Sequence, residues 1–195
     1  MGAAPLQRAA TDDSGWQTSL FEIIKERSFR LGRFTLASGA ESDLYFNLKP
    51  TMMDPLGAYL AAKAFSEIIH AERVDYVGGL EMGAVPIIGA LAAISATEGR
   101  PIRTFFVRKA PKEHGTKEKV EGLAPSESLQ GKRVLVLDDV ATSGGSIMKA
   151  IDAARSAGAT VDVALVLVDR DEGAKKRLAD QGIRLLSVFQ AQQFL

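Results

Sequence analysis

The sequence predicts an α/β fold in which a central, mostly parallel sheet carries helices on both faces. Short apolar runs alternate with helical patterns between residues 74 and 188, and such alternation is typical of parallel sheets. A length of 195 residues with 46% hydrophobic content suits one sizeable core. In RVLVLDDVATSGGS, Arg133 to Ser146, an apolar strand, an acidic corner, a loop of small residues and a helix follow one another. Ligands of such sheets bind at the carboxyl ends of strands, so this corner is the expected site.

The first part of the chain is expected to add smaller elements to the sheet. Residues 1–15 are small and polar and are predicted to be disordered. Residues 16–195 are predicted to form a single domain, in which residues 16–53 make a small N-terminal hood of short strands and a helix. The predicted hood elements are a helix from Trp16 that ends within 28–32, a strand at 34–36, a turn at 38–42 and a strand at 44–48.

The alternating part of the chain is predicted from its apolar spacing and from residues that start or stop helices. Asp54 and Pro55 suit a helix cap and a first helical residue. The predicted order is helix 55–70, strand 74–77, helix 85–97, strand 103–107, strand 134–137, helix 146–157, strand 161–168, helix 172–181 and strand 184–188. Residues 109–128 hold two prolines, two glycines and four lysines but few apolar residues. They interrupt the pattern and are predicted to form a flexible lid.

Composition excludes several classes of function. Lys+Arg and Asp+Glu both number 24, and a net charge of zero argues against a nucleic-acid partner. The sequence has no cysteine, which excludes disulfides, and its two histidines, His70 and His114, are not at metal-ligand spacing. No apolar run reaches the ~18 residues of a membrane span, and the N-terminus lacks an apolar signal core. The prediction is a cytoplasmic protein without a membrane partner.

The acidic corner and the loop after it favour a phosphorylated sugar as ligand. Asp138 and Asp139 end a buried strand where the chain turns, so both carboxylates can face one ligand; the alternative is a pair of capping or solvated aspartates. The loop from Val140 to Ser146 can wrap backbone N–H groups around a phosphate at a helix N-terminus. It lacks the Gly-Lys-Thr/Ser of a Walker A loop and the Gly-x-Gly-x-x-Gly of a dinucleotide site.

Other candidate residues each have a plainer interpretation. Four lid side chains could close over a pyrophosphate, although composition alone favours a solvated charged loop: Arg108, Lys109, Lys112 and His114. The glycines within 78–83 can simply permit a tight turn. Arg170 beside Asp169 is either a surface ion pair or a planar fork for a carboxylate. Tyr45 and Phe46 are more safely interpreted as core packing.

VLVLDDVATSGGS resembles the ribose-phosphate signature of the type I phosphoribosyltransferases, and the resemblance implies their fold. Four further segments resemble the orotate phosphoribosyltransferases: FTLASGAESDLYFNLKP, the Gly79–Pro86 loop, RKAPKEHGTKEKVEG and the Asp169-Arg170 pair. The resemblance implies transfer of the 5-phosphoribosyl group from PRPP to orotate, giving orotidine 5'-monophosphate and pyrophosphate in pyrimidine biosynthesis. It also implies a need for Mg²⁺ and a homodimer whose lid reaches the neighbouring subunit's site.

The same resemblance implies a role for each matching residue. Asp138 and Asp139 would hold the ribose hydroxyls and stabilise a cationic sugar, with Lys109 and His114 as the other catalytic residues. The implied PRPP-binding set is Arg108, Lys109, Lys112, His114, Asp138, Asp139, Val140, Ala141, Thr142, Ser143, Gly144, Gly145 and Ser146. The implied orotate contacts are Thr142, Arg170, Tyr45 and Phe46. Mg²⁺ would be held mainly by PRPP, with no direct protein ligand.

Two positions depart from the pattern of that family. Many members carry lysine where this chain has Ala37, and lysine or another polar residue where it has Gly83. Lys49, Lys117 and Lys119 are the cations that could compensate. Two other functions stay open: a purine or other type I phosphoribosyltransferase, which should lack this lid and aromatic segment, and a non-catalytic regulator that binds PRPP.

Overall fold

The computed structural model describes residues 15–35, 41–110 and 119–195, and it confirms the predicted α/β class. The helices are α1 (Trp16–Arg27), α2 (Lys49–Met52), α3 (Pro55–Glu72), α4 (Val85–Thr97), α5 (Gly145–Ser156), α6 (Ala174–Ala179) and a 3-10 helix, Ala191–Phe194. The strands are β1 (Phe29–Thr35), β2 (Glu41–Phe46), β3 (Tyr76–Gly78), β4 (Phe106–Val107), β5 (Val120–Glu121), β6 (Arg133–Ala141), β7 (Thr160–Asp169) and β8 (Arg184–Gln190). A central parallel sheet has the order β3-β6-β7-β8, and β1-β2 and β4-β5 are antiparallel pairs.

Side-chain alternation along β6 divides the core into two layers. Leu135 and Leu137 pack with the layer that contains α1, α3 and α4. Val134 and Val136 point to the opposite face and pack with α5 and α6. Because helices cover both faces, the strand is a continuous apolar run, and all four side chains are buried. The two layers therefore fix the carboxyl end of β6, where the acidic corner lies.

Strand β6 is longer than its apolar run predicts. Its pairing with β7 continues to Ala141 opposite Asp169, so Asp138 and Asp139 are strand residues rather than the first residues of a loop. The predicted strand at 103–107 is shorter, because only Phe106 and Val107 pair with β5. In the described ranges, helices that could cross a membrane do not occur, since each is too short or too polar.

The hood differs most from its prediction. Residues 29–32 do not end a helix but begin β1, because Phe29 pairs with Phe46 and the two rings lie 5.0 Å apart in the core. The short helix α2 was not expected, since four residues are too few to show a helical period. The turn predicted at 38–42 does not include Glu41 and Ser42, which belong to β2. Residues 36–40, with Ala37, and residues 1–14 of the predicted disordered start lie outside the described residues.

Candidate functional site

The acidic corner is buried and strongly polar. The Asp138 side chain is only 5% exposed, and its Oδ1 accepts the Asp139 N–H at 3.0 Å. The Asp139 Oδ1 in turn accepts the Val140 N–H at 2.9 Å. Burial, and next the negative charge of Asp139, raise the pKa of Asp138 well above its usual range, while Lys109 opposes this rise. The raised pKa favours the protonated form of Asp138 until a cation approaches it.

The loop after the corner has the form of an anion site. Gly144 has a φ of +76°, a conformation that favours glycine, and Gly145 begins the twelve-residue helix α5. The loop is tied to the β7–α6 connection, because the Ala174 N–H donates to the Thr142 carbonyl at 3.1 Å. A helix of this length presents free N–H groups and the positive end of its dipole. The predicted phosphate loop thus lies in a suitable place.

A second glycine-rich loop, residues 78–84, lies directly against the corner. A Cβ atom at Gly83 would collide with the carboxylate oxygens of Asp138 and Asp139. The peptide bond between Glu81 and Met82 is cis. In this structure the acidic corner therefore leaves no room for a side chain at Gly83.

The corner opens into a cavity of about 180 Å³. This volume is below the ~300 Å³ of a typical small-molecule pocket, so it matches part of a ligand the size of PRPP. Its lining combines residues predicted from the sequence with others from the hood and the glycine-rich loop: Lys49, Leu80, Glu81, Gly83, Lys109, Asp138, Asp139, Val140 and Ser146. Glu81 was not predicted, although its position after β3, at the same sheet edge, is a signal for it.

The β4–β5 pair holds both ends of residues 108–119, the first part of the lid predicted at 109–128, whose residues Val120 and Glu121 instead form β5. The Lys109 N–H donates to Glu81 Oε1 at 2.8 Å, and the Arg108 N–H donates to the Lys119 carbonyl at 2.9 Å. The Arg108 guanidinium lies 3.8 Å from Glu121. The structure therefore brings Lys109, but not the Arg108 side chain, into the lining of the cavity. Lys112, His114 and Lys117 lie outside the described residues.

Arg170 lies beside the phosphate loop and is only 7% exposed. Its N–H donates to the Ala141 carbonyl at 2.9 Å, and its guanidinium donates to Ser42 Oγ at 2.8 Å and to Glu172. The buried Nε of Arg170 has no hydrogen-bond partner among the described residues. A buried donor without an acceptor costs about 1–3 kcal/mol, so this edge of the guanidinium suits an acceptor on a ligand.

The two aromatic residues predicted to line the pyrimidine pocket face opposite ways. Tyr45 is 39% exposed and its ring stacks on Phe34 at 5.2 Å. Phe46 is buried, and its ring packs against Phe194 at 5.2 Å. Successive side chains of a strand alternate, so both rings cannot face one ligand. The structure places the Phe46 ring in the core, and we leave it out of the candidate site.

Comparison with known proteins extends these observations. A family model described as "Phosphoribosyl transferase domain" matches residues 54–189, which include the corner and the phosphate loop. The orotate phosphoribosyltransferase of Bradyrhizobium diazoefficiens is 53% identical over 93% of this chain and 97% of its own length. That of Aquifex aeolicus is 41% identical over 90% of this chain and 96% of its own length. A solved structure of the Mycobacterium tuberculosis H37Rv orotate phosphoribosyltransferase, in complex with PRPP, has a TM-score of 0.74 at 30% identity and covers 92% of this chain and 98% of that one.

Proposed function

This chain belongs to the orotate phosphoribosyltransferases of the phosphoribosyltransferase family, and from that premise we propose that its acidic corner carries the reaction. The enzyme transfers the 5-phosphoribosyl group from PRPP to N1 of orotate, giving orotidine 5'-monophosphate and pyrophosphate. The observation that supports this site is the convergence of the acidic pair, the phosphate loop and Lys109 at the carboxyl end of β6. No single segment of the chain could supply all three.

The corner suits the charge that develops on the ribose. Breaking the C1–pyrophosphate bond leaves an oxocarbenium-like sugar, and carboxylates fixed beneath it favour that cation. Asp138 and Asp139 are held by backbone N–H donors, so they need little rearrangement as the bond breaks. The phosphate loop would hold the 5-phosphate at the start of α5. Orotate brings its own nucleophilic nitrogen, so the reaction needs no covalent intermediate on the protein.

Mg²⁺ is implied by the family, and the residues of the site fit an ion that arrives with the substrate. Asp138, Asp139 and Glu81 line one cavity, and carboxylates suit Mg²⁺. Within the described ranges, however, no three such side chains are grouped closely enough to hold a metal. We therefore propose that the hydroxyls and pyrophosphate of PRPP supply most of the oxygen ligands. When bound, the ion would neutralise charge on the departing pyrophosphate.

A direct assay tests the proposed function. Purified protein with Mg²⁺ and PRPP should consume orotate, followed by its ultraviolet absorbance, and should leave adenine, hypoxanthine and uracil unchanged in parallel reactions. Conversion of a purine with orotate left intact would support a purine phosphoribosyltransferase instead. No conversion of any base, with PRPP still bound, would support the non-catalytic regulator. A cytoplasmic location stays a prediction.

Arg170 is proposed to bind the orotate carboxylate. The Arg170→Ala variant should raise the KM for orotate by about tenfold or more, because a charge-assisted donor and a planar fork are lost. The KM for PRPP should stay within about threefold, and steady-state kinetics with each substrate varied in turn measure both. The Glu172→Gln variant is the matched control, since it removes the charge beside Arg170 but keeps the guanidinium. Equal weakening of both substrates would remove Arg170 from this role.

We also propose a homodimer in which part of the lid serves the neighbouring site. Lys109 lines the cavity of its own chain, so contributions across the interface are assigned to Lys112 and His114. Mixing inactive Lys112→Ala and Asp139→Asn protomers should then restore about a quarter of the wild-type activity, since half the dimers are mixed and each has one intact site. Mixing Lys109→Ala with Asp139→Asn should restore none. No recovery of activity in the first mixture, after subunit exchange is verified, would place the whole lid in its own chain's site.

A further inference from the structure

The helix α2 brings a lysine of the hood to the acidic corner. Lys49 lines the same cavity as Asp138, Asp139 and Lys109, although it lies 89 positions before Asp138 in the sequence. We propose that the Lys49 ammonium binds the pyrophosphate group of PRPP and of the released product. This inference rests on the proposed function, because it assigns a ligand group within the same site.

The position of Lys49 is fixed by buried neighbours on its own short helix. Leu48, Thr51 and Met52 are buried, and the Thr51 hydroxyl shares a 2.6 Å hydrogen bond with the buried Ser28 hydroxyl. A Cβ atom at Gly57 would collide with the Thr51 carbonyl, so α3 also packs closely on α2. The Lys49 side chain therefore starts from a rigid element, so binding a ligand has to order only the side chain and not the backbone.

The charge of the cavity favours a cation at this position. Three carboxylates line it, those of Glu81, Asp138 and Asp139, against two lysines. A pyrophosphate entering this space would be repelled unless the lysines faced it. Lys49 makes no ion pair with any described residue, so its ammonium is available to a ligand.

The glycine-rich loop cannot supply this cation. Gly83 faces the carboxylates of Asp138 and Asp139 too closely to carry a side chain. Lys49 lines the same cavity from the hood, and Leu80, Glu81 and Gly83 of the loop line it too. The 5-phosphate is proposed to bind the loop at the start of α5, which is a separate place. The pyrophosphate group is therefore the part of PRPP that Lys49 is expected to bind. A compact ammonium group suits the many oxygens of a pyrophosphate.

Titration of the protein with magnesium pyrophosphate, followed by calorimetry, tests this assignment. The Lys49→Met variant keeps most of the apolar stem and should raise the Kd for pyrophosphate by about tenfold, the scale of one charge-assisted contact. The Lys49→Arg variant should stay within about threefold of wild type. Lys132→Met is the control, because Lys132 precedes β6 at the end of the strand opposite the corner, and it should bind as wild type.

Two results would overturn the inference. One is wild-type pyrophosphate affinity in the Lys49→Met variant, and the other is a loss confined to orotate affinity. Wild-type turnover of orotate is measured in the same preparation. If it is absent, the proposed function fails, whereas the pyrophosphate titration still decides the role of Lys49. A melting temperature for Lys49→Met close to that of wild type is expected, since the side chain is exposed, and Lys49→Arg decides the result if the Met variant folds poorly.

Discussion

Replacing Lys109 with alanine is expected to lower kcat by about 100-fold or more. The Lys109 N–H is held by Glu81, and its side chain lines the cavity beside Asp138. In the proposed reaction its charge would face the negative charge that develops on the departing pyrophosphate. Loss of one such preorganised donor costs about 10²–10³ in kcat. Initial rates at saturating PRPP and orotate, followed by orotate absorbance, measure the effect.

The same variant should move the acid limb of the kcat/KM profile to higher pH. The Lys109 ammonium lowers the pKa of Asp138, against burial and the charge of Asp139. Its removal raises that pKa further, so the ionised corner becomes available only at higher pH. Lys132→Ala should change neither the rate nor the profile. The contrary result would be a kcat for Lys109→Ala within about threefold of wild type and an acid limb at the same pH. It would show that pyrophosphate leaves without help from Lys109.

The parts of the site that could be predicted from the sequence are those encoded in one short segment. The apolar run, the acidic pair and the small-residue loop follow one another from Arg133 to Ser146, so their order alone predicts a phosphate site at a strand end. Helix α4, predicted at 85–97, was likewise confirmed, since its apolar residues and the proline at its second position are local signals. Local signals of this kind can be recognised without knowledge of the tertiary fold.

The parts that could not be predicted depend on contacts between distant segments. The sequence names Lys49 as one of three lysines that could compensate, but it does not show that Lys49 and Glu81 line one cavity with the end of β6. The pairing of Phe46 with Phe29 decides which sides of the strand the Tyr45 and Phe46 side chains point to. Two adjacent aromatic residues in a sequence do not reveal which ring is buried. The strand β5 contains only Val120 and Glu121 and exists through its pairing with β4. In each case the structure of a residue depends on a contact with a residue far away in the sequence.

Replacing Asp138 with asparagine is expected to separate activity from stability. The variant keeps the side-chain oxygen that accepts the Asp139 N–H, but it removes the charge that is proposed to face the cationic sugar, so kcat should fall by about 100-fold or more. The melting temperature should rise at neutral pH. Burial and the charge of Asp139 raise the pKa of Asp138, so ionising this carboxyl costs free energy in the folded protein. Each 1 kcal/mol recovered corresponds to about 2–4 °C for a domain of this size.

The stabilisation by Asp138→Asn should depend on pH with a definite sign. Between the ordinary aspartate pKa of about 3.9 and the raised pKa of Asp138, the folded wild type binds more protons than the unfolded chain. Its free energy of unfolding therefore falls as the pH rises through this window. The variant does not lose free energy of unfolding in this way. Its melting temperature should therefore exceed that of wild type only slightly near pH 4 and by more near pH 8. Asp152→Asn, an exposed control on α5, should show no such trend. A variant no more stable than wild type at pH 8 would mean that the folded protein ionises Asp138 without cost, and the corner would then be charged before any substrate binds.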